Sequence, residues 1–375
     1  MRREKEYLKE CLSLIHICKG NGYLKDLLSG GCGHHQHDLH RKQPGRNRAG
    51  GRSGRGDGVV QPAGHAGRGV SKHKNEEETA MIINQANIRS MSIGYSVIFN
   101  KALAETPTTY QQIATTVPST TRDQSYNWLG QMPQMREWIG DREIQNLSAY
   151  DYVIKNKKFE MTIAVPRDDI EDDTYGVYNP MFQNLGECAA RHPNEQCYGA
   201  LMAGFKNACY DGKPFFSADH PVEKKKVSNL GTKKLSMAAY KAGRTAIMSL
   251  VGDKGKSLGL VPDLLVVSPA NEEMGRQILE AEFINGSSNV YKGTAKLLVE
   301  PELAAQEDAW YLLCTRRSLK PIIYQERKKI KLVSKTADND DNVFMRDEFL
   351  YGADGRNNVG YGFWQMAYGS TGESS

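Results

Sequence analysis

The stretch that decides the fold opens Asn179-Pro180-Met181-Phe182-Gln183-Asn184-Leu185-Gly186-Glu187-Cys188 and closes Leu201-Met202-Ala203-Gly204-Phe205. Asn179 suits a helix cap, and Pro180 suits a first helical position, where no N–H partner is needed. Met181, Leu185, Cys188, His192, Gly199 and Met202 then recur at spacings of three, four or seven. That predicts a long helix with one mostly apolar stripe. Pro193 interrupts it, so a kink or two end-to-end helices are expected. Gly204 suits a left-handed stop. The stretch carries no evident catalytic group and reads as a scaffold between β-rich flanks.

Outward from it, the next segment is Tyr210-Asp211-Gly212-Lys213-Pro214-Phe215-Phe216-Ser217-Ala218-Asp219-His220-Pro221, punctuated as turns by Asp-Gly and Pro. Ser217, Asp219 and His220, with Cys209 nearby, raise the possibility of a hydrolase. A triad needs its base within reach of the nucleophile and an oxyanion hole, and no nucleophile-elbow glycine pattern is present. A hydrogen-bonded loop is therefore the expectation. Residues 223–234 read as an exposed, Lys-rich linker. Ser236 caps a helix through Leu250, Leu264-Leu265-Val266-Val267 is a buried strand, and Ser268-Pro269 opens a second helix. With strands at Ala295–Val299, Trp310–Cys314 and Ile322–Tyr324, residues 235–325 form a small α/β layer.

Upstream, residues 81–115 are mixed, with at most a short helix around Ser92–Ala104. Residues 116–165 form an extended β excursion in which Trp128, Leu129, Met135, Trp138 and Ile139 are split by Gly130, Pro133 and Gly140. Phe159-Glu160-Met161-Thr162-Ile163-Ala164-Val165 alternates with period two and is the clearest strand. The excursion suits a loop whose apolar partners lie on another subunit. In Arg167-Asp168-Asp169-Ile170-Glu171-Asp172-Asp173 the carboxylates invite a hard cation, but no calcium-loop glycine or distal Glu is in place. A turn with charges paired to nearby Arg or Lys is expected. Downstream, Val343–Gly352 reads as a strand, Asp354-Gly355 and Asn357-Asn358-Val359-Gly360 as turns, and Tyr361, Phe363, Trp364 and Tyr368 as core aromatics rather than base-stacking groups.

Charge and composition bound the function. The chain has 375 residues, 39% hydrophobic and 25% charged, which is ordinary for a globular protein. Residues 1–80 hold 15 Lys+Arg against 9 Asp+Glu, while the remainder holds 34 against 35. The overall +5 is a property of this leader, so bulk charge does not make the body a nucleic-acid binder. No apolar run approaches the roughly 20 residues of a membrane span, and no secretory signal is evident. Cys188, Cys197, Cys209 and Cys314 read as reduced thiols.

The leader reads as disordered from its composition. Cys32, His34, His35, His37 and His40 match no paired zinc spacing, so no metal site is expected there. Leu12-Ser13-Leu14-Ile15-His16-Ile17 is what CTG TCT CTT ATA CAC ATC encodes, similar to a transposon adapter used in sequencing libraries. Glu76-Glu77-Glu78 corresponds to a purine-rich, ribosome-binding-like stretch just before Met81. The expectation is a spurious leader with the true start at Met81; the alternative is a genuine basic arm.

Several stretches together resemble the major head subunit of Mu-like bacteriophages, the gpT family. They are Met81-Ile82-Ile83-Asn84, Arg167–Asp173, Ala189-Ala190-Arg191-His192-Pro193, Phe215–Pro221, Leu319–Gln325, Glu348-Phe349-Leu350-Tyr351-Gly352 and Gly362-Phe363-Trp364-Gln365. The resemblance covers 81–375 and none of 1–80. It implies an α+β, Hong Kong ninety-seven-like phage capsid fold. Its parts would be an N-terminal arm (81–118), an extended β loop (119–166), a peripheral domain with a spine helix (167–234) and an axial domain (235–325). Residues 326–375 would return to the peripheral domain and the tail. The implied function is a self-assembling head protein, not an enzyme, with no catalytic, cofactor or metal residues. It would form hexamers and pentamers of an icosahedral shell around double-stranded DNA held without sequence specificity. Implied partners are the scaffold/protease, portal and decoration proteins, with no membrane. The location would be the virion capsid, assembled in the bacterial host cytoplasm. An encapsulin-like compartment shell is the alternative, and a hydrolase using Ser217, Asp219 and His220 a lesser one.

Overall fold

In the computed structural model the deciding stretch is one unbroken helix, Asn179–Ala203, about 38 Å long at the usual rise. The structure describes residues 85–130, 151–172, 176–222, 225–252, 255–284 and 286–374. The chain separates into two units, Met1–Thr79 and Ala80–Ser375, and every described residue lies in the second. The leader with its Cys32–His40 cluster lies outside the described residues, as do Met135, Trp138 and Ile139 of the extended excursion.

The buried stripe of the long helix is not the expected one. It runs Phe182, Leu185, Gly186, Ala189, Ala190, Pro193, Asn194, Cys197, Tyr198 and Leu201, rotated from the Met181–Met202 set. The face is selected by small residues that let another helix approach. That partner, Gln85–Glu105, has 21 residues, far more than the short helix expected over Ser92–Ala104. A Cβ on Gly186 would sit 2.5 Å from Phe99 O and 2.8 Å from Ala102 Cβ. Tyr95 stacks on Phe182 with ring centroids 4.0 Å apart, and Tyr351 meets both rings edge-on. Pro193 does not divide the helix. Beyond it, buried Asn194, Cys197 and Tyr198 continue the packed face, and Asn194 Oδ1 accepts from the Thr109 and Tyr110 amides. Tyr178, not Asn179, occupies the capping position. Gly204 is right-handed, φ −61°. It is needed there for space, since a Cβ would meet Phe216 Cε2 at 2.9 Å.

Two sheets carry the rest. The first has four strands in the order Ala114–Pro118, Ile322–Lys335, Glu348–Tyr361 and Lys157–Pro166. The middle two are antiparallel, from Ile322 opposite Tyr361 to Lys335 opposite Leu350. Lys157–Pro166 adds antiparallel to Glu348–Tyr361, with Val165 opposite Phe349. Its alternation places Phe159, Met161, Ile163 and Val165 on the less exposed side, as its period-two pattern requires. Ile322 thus begins a strand of this sheet and not of the α/β layer. Val343–Arg346 is not strand either. Asp341–Arg346 is a short helix that stops at left-handed Asp347, φ 53°. Asp354-Gly355 and Asn357–Gly360 lie within the long strand Glu348–Tyr361 rather than in turns. Gly355 and Gly360 serve close approach there, since Cβ atoms would meet Ile330 Cγ1 at 2.7 Å and Ile154 Cδ1 at 2.3 Å.

The second sheet has five strands in the order Lys296–Val299, Leu264–Val267, Trp310–Leu313, Ala367–Ser374 and Leu230–Lys233. All four side chains of Leu264–Val267 and of Trp310–Leu313 are buried. Helix Met237–Met248 starts where the sequence places it, with Ser236 Oγ accepting from the Ala239 amide. The α/β layer takes two strands from outside 235–325. One is Leu230–Lys233, inside the expected linker, and the other is Ala367–Ser374 at the C-terminus. The reason is pairing: the edges of Trp310–Leu313 and Ala367–Ser374 need hydrogen-bond partners, and these strands supply them. Further short ladders pair Asp123–Ser125 with Val153–Lys155 at the stem of the excursion, and His220–Val222 with Lys225–Val227.

Candidate assembly surfaces and the Cys209–His220 loop

Two kinds of feature stand out: apolar groups left in water, and one buried polar cluster. On helix Gln85–Glu105, Ile93 is 59% and Val97 62% exposed, on the side away from Tyr95 and Phe99. On helix Asp341–Arg346, Phe344 is 83% and Met345 75% exposed. This short helix is firmly seated. Val343 is buried beneath it, and Asn342 Nδ2 donates to Lys335 O at 3.2 Å and Glu348 O at 2.6 Å. A rigid base therefore presents two large apolar side chains outward. The sequence signal for this helix is Asp340-Asp341-Asn342, a start pattern hidden by the apolar run that follows. Trp128 is partly exposed at the stem of the excursion, while Tyr126 and Leu129 beside it are buried in the main core.

The buried cluster lies where the chain leaves the long helix. The Cys209–Lys213 turn is closed by Cys209 N donating to Lys213 O, with Gly212 at φ +77°. Asp211 Oδ1 accepts from the Lys213 amide at 3.0 Å and from Cys209 Sγ at 3.1 Å. Asp211 Oδ2 lies 2.6 Å from His220 Nδ1, with both side chains essentially unexposed. Burial alone would raise the Asp211 pKa. The bonds from His220, the Lys213 amide and Cys209 outweigh it and hold the carboxyl below its ordinary value. Burial pushes the Cys209 thiol up, with Asp211 adding to the shift.

Asn229 completes the arrangement. Its Nδ2 donates to Phe215 O, Trp364 O and Ala367 O. That fixes Oδ1 as the acceptor for the Ser217 amide at 2.8 Å and for His220 Nε2 at 3.1 Å. The imidazole also lies flat on Trp364, with ring centroids 4.0 Å apart and planes 4° apart. Cys209, Asp211 and Asn229 carry no sequence motif that marks them. The Asp-Gly turn signal and the closeness of Cys209 to the Ser217–His220 segment are what point near them.

The side chains Ser217, Asp219 and His220 do not assemble as a nucleophile and its base. The Ser217 hydroxyl donates to Asp219 Oδ1 at 2.8 Å, and Asp219 is ion-paired to Lys213 at 2.9 Å. His220 directs its two nitrogens to Asp211 and Asn229. The loop is the hydrogen-bonded one expected from its turn residues. In the acidic segment, Arg167–Glu171 is a short helix. Arg167 lies 3.9 Å from Asp338 and 4.0 Å from Asp347, and Tyr178 donates to Asp169 at 2.6 Å. Among the described residues, Cys209, Asp211 and His220 are the one group of three or more potential ligands gathered closely enough for a metal. The four described cysteines are free. No described helix is long and apolar enough to cross a membrane.

Comparison with known proteins places this architecture. Residues 88–234, 230–303 and 302–374 match the family model described as Mu-like prophage major head subunit gpT. The chain is 39% identical over 286 residues to the Mu-like prophage FluMu major head subunit of Haemophilus influenzae, covering 76% of this chain and 73% of that protein. It is 35% identical over 293 residues to the major capsid protein of Escherichia phage Mu, covering 78% and 76%. A solved structure of the procapsid of bacteriophage JBD30 is similar with a TM-score of 0.51 and 38% identity, covering 77% of this chain and 76% of that one. The α+β fold with a long central helix, the outward apolar groups and these matches together show that the chain belongs to the Mu-like prophage major head subunit gpT family and is a structural major capsid protein of the phage head.

Proposed function

We propose that copies of this protein assemble as hexamers and pentamers into a closed icosahedral shell around double-stranded DNA. The observation that carries this is Phe344 and Met345, 83% and 75% exposed on a helix clamped from below. Large apolar groups held rigidly in water are stabilised by burial against another copy. A closed shell leaves no subunit without a neighbour to cover these groups.

In this reading residues 81–118 are the arm and 119–166 the extended loop that reaches a neighbour. The peripheral body is built on the long helix and the four-stranded sheet. The axial body is built on the five-stranded sheet, so it includes Leu230–Lys233 and Ala367–Ser374. The body beyond residue 80 carries 34 basic and 35 acidic residues, which suits a wall that holds DNA without reading sequence. Scaffold/protease, portal and decoration proteins would be the partners, and assembly would take place in the host cytoplasm. Electron microscopy and sedimentation of the purified protein test it. Closed shells of uniform size are expected. A monomer that persists at high concentration, with the phage's scaffold protein added, would overturn the proposal.

A further inference from the structure

We propose that Cys209, Asp211 and His220 form a binding site for one borderline-soft divalent transition ion of the Zn2+ type. The three ligand atoms, one thiol sulfur, one carboxylate oxygen and one imidazole nitrogen, all lie within 4.8 Å of one another. This donor set matches zinc, which takes Cys, His and carboxylate together in tetrahedral sites. Ligand distances of about 2.0–2.3 Å place tetrahedral neighbours roughly 3.3–3.6 Å apart. His220 Nδ1 and Asp211 Oδ2, now 2.6 Å apart, would therefore separate by less than about 1 Å on binding. Gly212 in the intervening turn sits at φ +77°, and a Cβ built on it would meet nothing within 4 Å, so that side of the turn is open for the adjustment.

What distinguishes the cluster from a chance gathering is the support behind the imidazole. A ligating His keeps its tautomer through a hydrogen bond from its other ring nitrogen. Here His220 Nε2 donates to Asn229 Oδ1 at 3.1 Å, and Asn229 cannot flip because its Nδ2 faces three backbone carbonyls. The ring is further held flat against Trp364. Nδ1 is thus directed at Asp211 and Cys209 by groups that would not move on metal binding. The charges balance: a thiolate, a carboxylate and a neutral imidazole neutralise a divalent ion. Binding releases the thiol proton and the proton shared by His220 and Asp211. The fourth position would be filled by water. His220 and Cys209 are 0% and 4% exposed, so the ion would enter during folding or through opening of the Cys209–Lys213 turn. Bound, it would fasten the exit of the long helix to the five-stranded sheet through His220 and Asn229.

The test uses the full chain, freed of metal with EDTA, equilibrated with Zn2+ or Co2+ and then dialysed. Cys32 and the leader histidines supply other donors, so the wild type is compared with Cys209→Ala and with Cys209→Ser, which keeps a hydroxyl toward Asp211. The expected result is one more equivalent of metal in the wild type than in either variant. A thiolate-to-cobalt charge-transfer band stronger in the wild type than in either variant should accompany it, with a Zn2+-dependent rise in Tm that EDTA reverses and that neither variant shows. Equal metal content in all three proteins would overturn the proposal and leave the cluster as a hydrogen-bonded clasp. Shell formation is scored separately on the same samples, so failure of this site leaves the assembly reading standing.

Discussion

Removing the Asn229 side chain would take one hydrogen-bond partner each from three backbone carbonyls, the Ser217 amide and the His220 ring, although Trp364 O keeps the Ala367 amide and His220 keeps Asp211. Buried polar groups left unpaired cost about 1–3 kcal/mol each when water cannot reach them. Asn229→Ala should therefore lower stability by about 3 kcal/mol or more, measured by urea unfolding. His192 gives a residue-scale prediction of another kind. Burial lowers its pKa, opposed by the Asn357 hydrogen bond and by Glu195. It lies 3.2 Å from Asn357 Oδ1 and packs on the Phe159 ring. A histidine whose folded pKa is lowered contributes stability that is present above its unfolded value, near 6.5, and lost as pH falls through the folded value. The Tm of the wild type should decline as pH drops below about 6.5, and His192→Gln should flatten that decline. Identical profiles for the two proteins would remove His192 as the cause.

At the scale of elements, the contact between Gln85–Glu105 and Asn179–Ala203 depends on Gly186. Its absent side chain admits Phe99 O and Ala102, and backbone cannot retreat as a flexible side chain can. Gly186→Ala should force the helices apart and cost about 1–3 kcal/mol, despite the higher helix propensity of Ala. Thermal unfolding decides: a rise in Tm would mean that propensity outweighs the clash. The same contact explains why Gln85–Glu105 forms a 21-residue helix where the local pattern suggests a short one. Ile88, Tyr95, Phe99 and Ala102 are buried against distant partners, and that burial stabilises residues of indifferent helix propensity.

For the whole molecule, the assembly role proposed for the outward helix Asp341–Arg346 can be tested apart from folding. Phe344 and Met345 contribute little to the isolated subunit, because substitutions at exposed sites usually stay within about 0.5 kcal/mol. The double variant Phe344→Ser, Met345→Ser should fold with an unchanged Tm and yet form no shells, as seen by sedimentation velocity and electron microscopy. Shells in normal yield would assign the assembly energy to other exposed groups, such as Ile93 and Val97. The topology also ties both sheets to the end of the chain. Glu348–Tyr361 belongs to one sheet and Ala367–Ser374 to the other, joined by the buried Phe363-Trp364 segment.

The residues alone determine what depends on near neighbours in the chain. The alternation of Lys157–Pro166, the Ser236 cap, the buried run Leu264–Val267 and the long helix all follow from short-range spacing and turn chemistry. Ordered motifs from Arg167 to Gln365 also made the family legible. Only the tertiary structure decides which face of the long helix is buried, since Gly186 and Ala189 gain their value from how closely another backbone approaches. It likewise decides that Gly355 and Gly360 sit in a strand, that Ile322 and Ala367 belong to different sheets, and that Asn229 bonds residues 135 and 138 positions away. Hydropathy records a side chain's own preference for water, whereas these choices depend on the shape and polar groups of partners brought together by the chain's return.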